Sequence, residues 1–221
     1  REERSLDSVL LKVAVPRGNE IKIDAMEQMF ASLFAIKKGG WKQKFSNQAA
    51  VSFEIVAKKE DIRFYVWTPR KIMDLVEKQI HGAYPEAEIT EIEEYNIFSQ
   101  EGKVAYKSFQ LSRGNYFPLK TFKDLPTDPM AAITSSLAKM GENEAAAIQI
   151  LVSPADSSWQ KDGRHFISDT KKQEADPEKA KFSTSAKTLE AVEGKISKPG
   201  FETSIRVVVV AQTSEAAKTH L

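Results

Sequence analysis

The chain has 221 residues, 41% hydrophobic and 29% charged, with 32 basic and 31 acidic side chains and a formal charge of +1. That length suits one large domain or two of about 100 residues, and the balanced charge offers no global electrostatic case for nucleic acid. With no cysteine and three scattered histidines (His81, His165, His220), a disulfide scaffold and a thiolate metal site are excluded and an imidazole cluster is disfavoured; no apolar run approaches the roughly 20 residues that span a bilayer.

Residues 1–7 are a charged lead-in. Val9, Leu11, Val13 and Val15 alternate, which predicts a first strand closed by the turn sequence Pro16-Arg17-Gly18-Asn19. Asp24 with Glu27 fits a capping box, and Met26, Met29, Phe30, Leu33 and Phe34 form a helical stripe ending at Gly39-Gly40. A basic loop follows, and Val51, Phe53 and Ile55 predict a second strand. In the third, Ile62, Phe64 and Val66 fall on one face and Arg63, Tyr65 and Trp67 on the other. Thr68 and Pro69 then read as N-cap and first residue of a helix striped by Ile72, Met73, Val76 and Ile80. Gly82 and Pro85 stop it, and a fourth strand runs from Ala87 to near Tyr95. The order is βαββαβ, the split βαβ or ferredoxin-like arrangement.

The second half repeats this order. Val104 to Leu111 reads as a strand ending in Arg113-Gly114-Asn115, a tripeptide displaced from Arg17-Gly18-Asn19 by 113 − 17 = 96 residues. Asp128-Pro129 predicts a helix with Met130, Ile133, Leu137 and Met140 on one side, ending at Gly141. Ala145 to Ser153 is the next strand, and Ala49-Ala50 and Ala145-Ala146 keep the same offset, 145 − 49 = 96. The third strand breaks it, since 205 − 62 = 143, so an insertion of about 143 − 96 = 47 residues is expected near 154–199. Its predicted order is a loop around Trp159, a lysine-rich connector, and a helix opened by Asp176-Pro177 with Phe182, Leu189 and Ile196 every seventh residue. That helix either docks on its own domain or offers its face to a partner. Val207 to Val210 predict a strand buried on both faces, and Thr213 opens a last helix. The expected fold is therefore α+β: two ferredoxin-like repeats over 1–98 and 99–221, the second incomplete at its C-terminal end. Both ends of the chain look cut, and an open sheet edge is expected there.

The motifs of common chemistry are missing: no phosphate-binding loop, no Gly-x-Gly-x-x-Gly, no Gly-x-Ser-x-Gly and no His-Glu-x-x-His. Glu93-Glu94 and Glu190 with Glu193 read as solvated carboxylates. The candidate interaction residues are Arg63, Tyr65 and Trp67 on the outward sheet face, near Lys12, Ser52, Glu54 and Val56, and the loop residues Lys37, Lys38, Trp41, Lys42 and Lys44. Aromatics beside arginine on such a strand suit base stacking. Against that, the glycine-aromatic ribonucleoprotein pattern is absent and Glu54 opposes phosphate. The competing expectation is that Tyr65 and Trp67 are covered by protein.

Several segments carry a resemblance: Val15-Pro-Arg-Gly-Asn-Glu20, Glu27-Gln-Met-Phe-Ala-Ser-Leu33, Val51-Ser-Phe-Glu-Ile-Val56, Ile62-Arg-Phe-Tyr-Val-Trp67, Tyr84-Pro-Glu-Ala-Glu88, Trp159-Gln-Lys161 and Lys198-Pro-Gly-Phe201. In these the chain resembles the N-terminal region of large membrane-anchored proteins of candidate-phyla bacteria, predicted to be type IV secretion or conjugative-transfer ATPases. The resemblance implies a hydrophobic anchor before Arg1, a P-loop motor after Leu221, and a place at the cytoplasmic face of the inner membrane. It implies no cofactor and no catalytic residue in this chain. The implied partners are the chain itself, other secretion subunits, the parent's motor, and DNA in the nucleic-acid reading.

Overall fold

The computed structural model describes residues 7–37, 49–59, 61–99, 101–175 and 185–221. The chain falls into two compact units. The larger comprises residues through Gln110, Asp128–Pro154 and Phe201–Leu221; the smaller comprises Leu111–Thr127 and Ala155–Gly200.

The larger unit is a seven-stranded antiparallel sheet in an α+β arrangement. Its strands are β1 (Ser8–Ala14), β2 (Val51–Lys58), β3 (Asp61–Pro69), β4 (Glu88–Ile92), β5 (Lys103–Phe109), β6 (Ala145–Pro154) and β7 (Phe201–Ala211), in the order β4-β1-β3-β2-β6-β7-β5. Helices α1 (Asp24–Leu33), α2 (Met73–Ala83), α3 (Pro129–Leu137) and α6 (Ser214–Thr219) share one face. Val9, Leu11, Val51 and Val66 of the sheet form a core with Val76 and Ile80 of α2 and Met29 and Leu33 of α1. Ala57, Ala146 and Val209 of the sheet form a core with Leu137 of α3, Met140 just beyond it and Ala217 of α6. The valine run is buried on both faces as expected: Val207 and Val209 meet the helices, and Val208 and Val210 the other side.

Local chemistry departs from the predicted caps in two places. The third strand continues through Thr68, which is fully buried, to Pro69; a 3-10 turn over Arg70–Ile72 then leads into α2. Thr68 is therefore a strand residue and not an N-cap. Ile23 occupies the N-cap position of α1, with Asp24 and Glu27 inside its first turn, where carboxylates favour the helix dipole. Asp128 does cap α3, its carboxylate accepting from Met130 N at 2.9 Å, but the helix stops at Leu137 rather than Gly141.

The 96-residue offset keeps faces alike between β1 and β5, Val9 and Ala105 both lying on the helix side, but fails between β2 and β6. It maps Phe53 onto Gln149 (53 + 96 = 149), yet Phe53 pairs with Ile150 on the helix side while Gln149 pairs with Glu54 on the opposite face. A one-residue change of register reverses a strand's faces, so the offset shared by the Arg-Gly-Asn tripeptides does not carry through to the second strand of each half.

In the smaller unit, α4 (Ser158–Glu174) replaces the predicted loop and lysine-rich connector. It packs against α5 (Ala186–Ile196), whose N-cap is Ser185; Asp176, Pro177 and Phe182 lie outside the described residues. Ile167, Leu189 and Val192 are buried with Tyr116, Phe117, Phe166 and Ile196 around them. Gly163 permits this closeness, since a Cβ there would stand 2.6 Å from Ile196 Cγ2 and 3.0 Å from Tyr116 Cβ. Lys195 crosses the same core: Nζ donates to Phe117 O at 2.8 Å and to Asn115 O. Burial pushes its amine below the usual lysine range. The apolar face of α5 is thus spent inside its own unit.

Candidate interaction surface

The sheet face opposite the helices is crossed by its own connector. β4 and β5 stand at opposite edges, so residues 93–102 traverse six inter-strand spacings. That distance is roughly 29 Å, against roughly 35 Å for the extended segment. The connector makes that crossing with a turn at its far end, where Gly102 N donates to Ser99 O at 3.2 Å, and it lays Tyr95 and Ile97 over Leu10, Val56, Tyr65, Ala147 and Val210 as a second core. Gly102 ends the crossing against β7, where a Cβ would stand 2.6 Å from Val210 Cγ1.

At the centre of this strap three segments meet. Glu54 on β2 is only 6% exposed. Its carboxylate accepts from the Tyr95 hydroxyl and, at 3.1 Å, from Gln149 Nε2 on β6; Gln149 also reaches the Tyr95 oxygen at 3.4 Å. A buried carboxylate needs such donors. Burial first, and the Glu54 charge second, push the Tyr95 hydroxyl above the ordinary tyrosine range. Lys58 Nζ donates to Asn96 O and pins the strap beside this node.

The predicted face residues lie where the alternation puts them. Tyr65 pairs with Lys12 and Glu54, Trp67 with Leu10 and Ser52, and Arg63 with Val56. Their availability differs. Tyr65 is 6% exposed, with its ring 5.0 Å from the Tyr95 ring, so the face that would stack on a base is already taken. Trp67 is half-buried against the same cluster. Arg63 is exposed, but its Nε donates to Asp61 Oδ2 at 2.6 Å, and that carboxylate holds the guanidinium above its ordinary value. A concavity of about 320 Å³ opens between Val56, Lys58, Asp61, Arg63, Tyr65, Ile92 and Tyr95. Its two cations each already face an oxygen. Lys37 lies 5.0 Å over the Phe34 ring; Lys38, Trp41, Lys42 and Lys44 lie outside the described residues. Sequence reasoning missed Tyr95 and Gln149, because nothing in Glu93–Gly102 marks a segment that must cross a sheet.

Among the described residues no group of three or more His, Asp or Glu is placed to hold a metal ion, and no helix is long and apolar enough to cross a membrane. Glu193 is spent on Lys171 at 3.2 Å. The remaining conspicuous surface is at the sheet edges. Along β5, Val104, Tyr106 and Phe109 are 50%, 76% and 56% exposed. Along β4, Glu86, Glu88, Glu91, Glu93 and Glu94 are exposed, and Glu91 accepts from Arg70 Nη2 at 2.8 Å.

No curated protein matches the chain. A family model described as a domain of unknown function (DUF8128) matches residues 2–221, and the chain belongs to that family.

Proposed function

We propose that this chain is a non-catalytic assembly or substrate-engagement domain, and that the protein it serves is a membrane-associated, type IV secretion-like DNA-translocating ATPase. The carrying observation is how the sheet's surface is used. Helices cover one face and the strap crosses the other, while both edge strands lack a strand partner among the described residues. An exposed strand edge is a template for macromolecular contact. The link to a secretion ATPase rests on the segment resemblance alone. Base stacking on Tyr65 and Trp67, the competing reading, asks for a bare ring where Tyr95 lies.

The same reading takes the sheet as a doubled βαββαβ block. The order β4-β1-β3-β2, which a ferredoxin-like unit also has, and the order β6-β7-β5, which matches three of its strands, support that reading. The halves meet antiparallel through β2 and β6, Ile55 opposite Ile148, with helices on the same side of both. In this reading β5 corresponds to β1, whose outer edge carries β4.

The test is binding of the purified chain to itself, to single-stranded DNA and to the parent's motor domain, read by sedimentation and fluorescence anisotropy. Saturable binding to any of the three supports the reading; failure with all three overturns it.

A further inference from the structure

The two free edges differ in kind. β4 and its flanks present five exposed carboxylates, Glu86, Glu88, Glu91, Glu93 and Glu94, of which Glu91 is shared with Arg70 at 2.8 Å. The only charges within β5 are Lys103 and Lys107, set among exposed Val104, Tyr106 and Phe109. Charged edges usually keep sheets apart, because like edges repel. Here one edge is acidic and the other basic and apolar. Two β4 edges brought together would oppose carboxylates, and two β5 edges would gather four lysines, with Glu101 beside each Lys103 as the nearest carboxylate in sequence. An acidic edge against a basic one has neither fault.

We infer that copies of this chain associate head to tail, the acidic β4 edge of one pairing with the basic β5 edge of the next to continue the sheet. This rests on the assembly reading and names its surface. Every neighbouring pair in the sheet is antiparallel, and six such steps separate β4 from β5, so the two edges run in the same direction. A neighbour with its helices on the same side therefore presents β4 parallel to β5. Faces then match. Glu91 shares the helix side, since it pairs with Leu11, and so do Lys103 and Lys107, which flank Ala105. Ile92 lies on the strap side with Leu10, as Tyr106 does opposite Val208. Sliding the strands until Ile92 lies beside Tyr106 sets Glu91 between Lys103 and Lys107 and Glu93 beside Lys107. One register satisfies both faces. Because the joined surfaces are different patches, the association is heterologous, closing into a ring or growing as a filament.

The experiment is sedimentation velocity on the 221-residue chain and on two charge-reversal variants, Glu91→Lys/Glu93→Lys and Lys103→Glu/Lys107→Glu, with circular dichroism confirming that each is folded. The unmodified chain is expected to self-associate at low ionic strength and to dissociate as salt rises. Each variant alone brings like charges together at the positions this register pairs, and its association should weaken about a hundred-fold. Mixing the two variants restores opposite signs at every junction and should restore association. Recovery on mixing, absent for either variant alone, is the signature of β4–β5 pairing. A chain that stays monomeric overturns the inference. Self-association that ignores both reversals also overturns it, while leaving the assembly reading standing. Loss in only the lysine variant, without rescue on mixing, assigns β5 to another partner and overturns the pairing too.

Discussion

The strap node makes a sharp stability prediction. Replacing Tyr95 by Phe removes one hydroxyl and keeps the ring that lies 5.0 Å from Tyr65. The Glu54 carboxylate, 6% exposed, then keeps only Gln149 Nε2 at 3.1 Å. A hydrogen bond to a buried charged group contributes about 1.5–3 kcal/mol, so Tyr95→Phe should destabilise the fold by about 2 kcal/mol. Glu54→Leu removes the charge instead and leaves the hydroxyl with one weak donor, a smaller loss of about 1 kcal/mol. The double variant has neither a stranded carboxylate nor a stranded hydroxyl, and should cost less than the two singles added, with a coupling of about 1–2 kcal/mol. Urea titrations followed by far-UV circular dichroism at pH 7 measure all four proteins. A Tyr95→Phe loss below about 0.5 kcal/mol, or additivity across the cycle, would refute the node as a tie between connector and sheet.

Three further expectations follow from the same contacts. The Tyr95 hydroxyl is held above its ordinary value of 10.0; the unfolded chain therefore releases that proton first, so stability is full below about pH 10 and falls as pH rises past it, with a slope of up to about 1.4 kcal/mol per unit. Urea titrations at a series of alkaline pH values should show this slope in the parent and its reduction in Tyr95→Phe. Gly163→Ala should destabilise the smaller unit by about 1–3 kcal/mol in spite of better helix propensity, because its Cβ would stand 2.6 Å from Ile196 Cγ2; pairing it with Ile196→Ala should recover part of the loss, read by protease resistance of Ala155–Gly200. Lys195→Met keeps the stem and removes both donors to Asn115 and Phe117; amide exchange should quicken at 115–117 while the sheet strands are unchanged.

How much of this was readable in the residues depends on where their partners lie. β1, β2, β3 and β6 announce themselves because alternate side chains are apolar within each strand, and α3 because Asp128 and Pro129 are adjacent. α4 was invisible for the opposite reason. Its buried positions are Trp159, Gly163, Ile167 and Thr170, and two of those four residues are not apolar side chains of any size. A glycine that marks a loop in isolation marks a close helix contact once Ile196 is known to stand against it. The Thr68 cap failed similarly: Thr-Pro fits a helix start, but burial of Thr68 on the helix side of β3 claims it for the strand.

The candidate face shows the same limit at the scale of the sheet. Alternation places Arg63, Tyr65 and Trp67 together, and pairing with Lys12, Glu54 and Ser52 bears that out. What alternation cannot carry is strand order. Once β4 and β5 occupy opposite edges, the connection between them runs over the sheet and lays Tyr95 and Ile97 on its face. The aromatic platform thereby becomes the floor of a core, and Glu54, which looked like an obstacle to phosphate, becomes the acceptor that fastens the roof. The same strand order leaves an acidic strand at one end of the sheet and a basic one at the other. Under the assembly reading proposed above, contact surface is a consequence of topology more than of any local motif, and edge charge is the property through which association should be tunable.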